Sequence, residues 1–133
     1  MFKTIVSTDI AQEIMERYRR KFLRPDFEQF NAAFNCKNLP WCYYKDSKVY
    51  DTGELYKVPI APDTIVYCHD ERKEIMYHTT FREVYNFVIK LEPWDEVDLE
   101  VFDDEMEWTV AITHEDCIIL CGLDIIVSDS SQR

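Results

Sequence analysis

The sequence predicts a single α+β domain, in which a mostly antiparallel sheet, a hairpin plus a C-terminal three-stranded meander, packs against about three helices. Three observations lead there. Residues 97–113 alternate apolar and polar side chains with the period of a half-buried strand. Earlier stretches carry apolar residues at helical spacing, and the order of these segments separates runs of helix from runs of strand. No internal repeat or low-complexity segment competes with that reading. At 133 residues and 47% hydrophobic content, the chain suffices for one core.

In chain order, residues 1–35 read as an αα-hairpin. Thr8 or Asp9 is the expected N-cap, Gln12 completes a capping-box spacing, and Ile10, Ile14, Tyr18 and Phe22 form the stripe of a helix over 10–23. The cations Arg17, Arg19, Arg20, Lys21 and Arg24 gather towards its C-terminus, where the helix dipole favours them. Pro25 ends it, and Phe27, Phe30 and Phe34 mark a second short helix. Residues 36–62 are irregular and rich in aromatic groups, with a short hairpin of WCYYK and KVYD expected around Asp46 and Ser47. Residues 63–125 hold a hairpin, a helix and the meander. TIVYC and EIMYH are its first strands, and Thr80 with Glu83 caps a helix whose apolar face is Val84, Phe87, Val88 and Leu91. Residues 128–133 form a loose tail.

Parity constrains the meander. A two-residue loop at Asp104 and Glu105 sets Val101 opposite Trp108, Leu99 opposite Val110 and Val97 opposite Ile112. A four-residue connection keeps the same parity, and Asp-Glu lacks the glycine that two-residue turns prefer. A one-residue slip would turn the apolar side chains to water. A second reversal at Glu115 and Asp116 brings Cys117, Ile119 and Cys121 back along 108–114.

Charge is distributed unevenly. Residues 1–90 carry 14 Lys and Arg against 13 Asp and Glu, whereas residues 91–132 hold 13 acidic residues and no basic one, out of a net charge of -11. Such a field repels phosphate and anionic lipid, so direct nucleic-acid or membrane binding is not expected, and a basic protein is the expected partner. No apolar run reaches the roughly 18 residues of a membrane helix, and no signal peptide is read, which gives a cytoplasmic expectation. Five cysteines without a CxxC pair read as free thiols.

No cofactor loop or nucleophile arrangement is legible, so no cofactor is expected and the chain reads as a non-enzymatic interaction module. Its expected partner-binding residues are Trp94, Asp95, Glu96, Asp98, Glu100, Asp103, Asp104, Glu105 and Glu107, with Tyr44 as a further aromatic anchor. In size and acidity it has the character of an inhibitor or immunity-type protein that masks a basic partner such as a nuclease. A second copy, its basic helix end set against the acidic face, is the other partner considered. The rival reading is a ligand- or metal-binding protein or hydrolase built on His69, Asp70, His114, Glu115 and Asp116, which requires two His-carboxylate turns to meet in space.

Overall fold

The computed structural model describes residues 2–26 and 40–126. The expected Phe27, Phe30 and Phe34 helix, Cys36 and the C-terminal tail lie outside the described residues. Six strands form one antiparallel sheet: β1 (Lys48–Asp51), β2 (Ile65–Asp70), β3 (Ile75–Thr80), β4 (Leu99–Asp103), β5 (Thr109–Ile112) and β6 (Cys117–Cys121). Their spatial order is β1-β6-β5-β4-β2-β3. The α+β class, the hairpin β2–β3 and the meander β4–β5–β6 are those the sequence predicts. The expected WCYYK hairpin does not form. Residues Pro40–Tyr43 are a 3-10 helix, and KVYD joins the sheet as edge strand β1 on β6.

Helix α1 (Thr8–Phe22) starts before the expected cap, with Ser7 at the N-cap position and no side-chain cap bond. Its buried face is Ile14, Met15, Tyr18 and Phe22, while Ile10 is 53% exposed. The stripe drifts because 3.6 residues per turn lags behind a strict spacing of four, so the first member leaves the contact. Helix α2 (Phe81–Ile89) keeps its expected cap: Thr80 Oγ1 accepts from the Glu83 N–H at 3.3 Å. Phe81, Val84 and Val88 are its buried residues.

Register in the meander follows the four-residue connection. Val101 faces Val110 and Leu99 faces Ile112, two residues from the tight-turn alignment and of the same parity. Met106, inside the loop, has φ 54 and supplies the reversal without glycine. The second reversal differs by one residue. The Thr113 N–H donates to the Cys117 carbonyl at 2.9 Å, and Asp116 takes φ 59. Ile118 and Leu120 therefore share the face of Val110 and Ile112, while Ile119 and Cys121 point to the other side. Just past β6, Gly122 has φ 87, and a Cβ there would run into the Glu107 carbonyl and come within 3.0 Å of Trp108 Cα. Only glycine fits this approach.

Both faces of the sheet are covered. On one, α2 and the 3-10 helix Thr52–Lys57 pack Val84, Val88 and Leu55 against Val66, Cys68, Leu99, Val101, Val110, Ile112, Ile118 and Leu120. On the other, α1 and Trp41 cover Met76, Phe102, Ala111 and Cys121. Each large apolar side chain fully buried here contributes about 1.5–3 kcal/mol over its exposed state. The meander therefore has no open sheet face within these strands, because α1 lies on the side opposite α2.

Candidate functional site

Residues with chemistry collect at one end of the sheet, where β2 leaves, β4 enters and β5 turns into β6. The ladder dictates this. Asp70 pairs with Leu99, and Leu99 with Ile112, so the β2–β3 turn, the segment before β4 and the β5–β6 turn all emerge together. Asp98 and Glu100, two apart along the chain, share a face.

Glu100 lies opposite His69 in the ladder, and His69 Nδ1 is 2.9 Å from Glu100 Oε1. Glu71, from the turn, brings Oε2 to 3.3 Å from the same nitrogen. Glu100 is 0% exposed, and its Oε2 has no hydrogen-bond partner among the described residues. Burial alone would lower His69, but its hydrogen bonds to Glu100 and Glu71 outweigh that and raise it to about 9. Burial pushes the Glu100 carboxyl up to about 8, against the lowering effect of the His69 bond and with Glu71 adding to the rise. On the same face the Tyr18 and Tyr44 hydroxyls bond each other, and Tyr18 bonds Thr109 Oγ1 at 2.8 Å. Burial raises both phenols, and the charge of Glu100 adds to it.

A second cluster centres on Asp98. Its Oδ1 accepts from the His114 backbone N–H at 3.0 Å and lies 2.8 Å from His114 Nδ1, while Oδ2 accepts from Arg72 Nε at 2.8 Å. Arg72 also reaches Glu96 at 3.7 Å. The hydrogen bond to Asp98 raises His114. The two His-carboxylate turns do meet, since Arg72 of the first and His114 of the second share one carboxylate.

Several expected site residues have other places. Asp98 and Glu100, expected on the surface, are buried: Asp98 lies between Arg72 and His114, and Glu100 faces the α1 layer beside His69. Tyr44, expected as an anchor, is buried against Tyr18. Asp103 accepts the Glu107 N–H at 2.8 Å and closes the β4–β5 loop, and Asp104 faces His78 at 3.6 Å. Glu105 and Glu107 are exposed and adjoin each other, which raises Glu107; Lys21 of α1 opposes that rise. Trp94, Asp95 and Glu96 are exposed, as are Glu115 and Asp116. Asp70, expected among the metal ligands, instead accepts the Arg72 and Lys73 N–H groups at 3.0 Å and closes its own turn. Tyr18, Arg72 and Thr109 carried no sequence signal of a site, because their partners come from 26 to 91 positions away.

An apolar groove of about 380 Å³ lies elsewhere, lined by Leu55, Tyr56, Val58, Ile60, Phe81 and Tyr85, with Arg82 at its side. It shares no residue with either histidine cluster. Among the described residues, no helix is long and apolar enough to cross a membrane. No family model, curated protein or solved structure matches this chain.

Proposed function

We propose that this protein is a small acidic protein-binding module that docks a basic partner at the sheet end bearing Trp94. The observation that carries the reading is Trp94 itself, 76% exposed in a turn between acidic residues. That turn is ordered: the Glu92 N–H donates to Asp95 Oδ2 at 2.9 Å and the Asp95 N–H to the Glu92 carbonyl at 2.9 Å. A large aromatic group held on a tight turn loses little entropy on contact and, ringed by polar groups, has the composition of a hot spot. Asp95 and Glu96 flank it, and Glu115 and Asp116 emerge from the neighbouring turn at the same sheet end. Arg72 lies among them, with its guanidinium bonded to Asp98 and near Glu96.

The acidic loop of 103–107 lies at the opposite end of β4 and has Lys21 nearby, so it contributes to the long-range field and not to the anchor. A nuclease with a basic phosphate-binding surface is the kind of partner such a patch would mask, in the manner of an inhibitor or immunity-type protein. Retention of basic proteins from native lysate on the immobilised chain, at low and high salt, tests the reading. Trp94→Ala and the pair Asp95→Lys with Glu96→Lys should each abolish a salt-sensitive band that competes with added DNA or RNA. Equal retention by all three proteins would overturn the proposal.

A further inference from the structure

We infer that His69, Glu71 and Glu100 form a divalent-metal site, with zinc as the ion that suits their donors and spacing. One ligand atom from each of the three lies within 4.8 Å of the others. The nitrogen-to-oxygen separations of 2.9 and 3.3 Å need only a small outward shift to hold an ion, since metal bonds of about 2.0–2.2 Å place tetrahedral ligand atoms roughly 3.3–3.6 Å apart.

Glu100 supplies the independent observation. Its side chain is fully buried, yet Oε2 has no hydrogen-bond donor among the described residues. A buried carboxylate oxygen without a donor costs free energy that a cation would remove. A dication with neutral imidazole balances both carboxylates in their ionised form. Donor type selects the ion: imidazole nitrogen with carboxylate oxygen, and no thiolate, suits zinc better than magnesium, which favours carboxylate, phosphate and water. Access is built in, because the His69 and Glu71 side chains are 12% and 14% exposed and so border solvent. Three protein ligands leave a fourth position for water. The set differs from the one read in the sequence: His69 remains, Glu71 and Glu100 replace Asp70, Glu115 and Asp116, and His114 belongs to Asp98.

Titration of the chelator-stripped full chain with zinc chloride in a calorimeter tests the site. One equivalent should bind, Glu71→Gln and Glu100→Gln should each weaken it by about 10-fold or more, and His114→Ala should leave it unchanged. Glu71 lies on a turn, so its variant keeps the test open if Glu100→Gln fails to fold. An absence of zinc binding, or binding indifferent to both glutamine changes, overturns the inference and leaves a proton-sharing ion cluster. Neither outcome bears on partner docking at Trp94.

Discussion

Leu99 and Glu100 are neighbours on β4, both fully buried, and they face opposite layers of the molecule. Leu99 enters an apolar layer under α2, mostly aliphatic with Tyr77 and Phe81 among it, where shape and area dominate. Glu100 enters the α1 layer, where two buried polar clusters, His69 with Glu71 and Glu100, and Tyr18 with Tyr44 and Thr109, sit among aromatic rings. The contrast teaches that burial of this sheet is two different problems. One face is stabilised by removing apolar area from water, and the other also depends on the partners that its buried polar groups have found.

The largest test of that contrast sets one substitution in each layer side by side. His69→Ala should cost about 1–3 kcal/mol, because it leaves the buried Glu100 carboxyl without its hydrogen-bond partner. Leu99→Ala should cost about 2–5 kcal/mol through lost transfer energy and a cavity. The two are told apart by a double-mutant cycle in urea. Glu100→Gln should recover part of the loss in the His69→Ala background and none in the Leu99→Ala background. Additive losses in both backgrounds would mean the layers do not differ.

Acidity provides the second comparison, measured on metal-free protein. His69 is raised from 6.5 to about 9, so the stability it contributes is complete below 6.5 and lost as pH climbs through 9. Glu100 is raised from 4.5 to about 8, the reverse of the usual carboxylate, so the folded state holds its proton longer and stability declines between those values. Both contributions have the same sign. Thermal midpoints should fall from pH 5 to pH 9, and Glu100→Gln should flatten the slope between pH 5 and pH 8. A midpoint that rises over this window would contradict the assignment. The smallest expected effect is Tyr18→Phe, which removes a hydroxyl bonded to Tyr44 and Thr109 and should cost about 1–2 kcal/mol. A change within experimental error would show that the tyrosine pair adds only its rings.

Much of the fold was legible along the chain. The α2 cap, the strands of 65–80 and the parity of β4 and β5 depend on residues within a few positions of each other, and local stereochemistry sets them. The β5–β6 reversal is one residue longer than the sequence predicts, since an αL aspartate at Asp116 extends the turn in a way that its neighbours do not announce. The candidate site was legible as residue types and not as a site. The sequence points to His69 as a possible ligand but places Glu100 among the surface acids, because period-two alternation equates polar with solvated. That equation fails when a second helix covers the polar side. Sequence by itself determined strands β2 to β6, the α2 start, and the concentration of negative charge after residue 90, because these arise from periodicity, capping and composition. Tertiary structure decided that β4 lies beside β2, and with it that Glu100 faces a histidine 31 positions away. Strand neighbours are chosen by burial on both faces at once, which no local stretch of sequence contains.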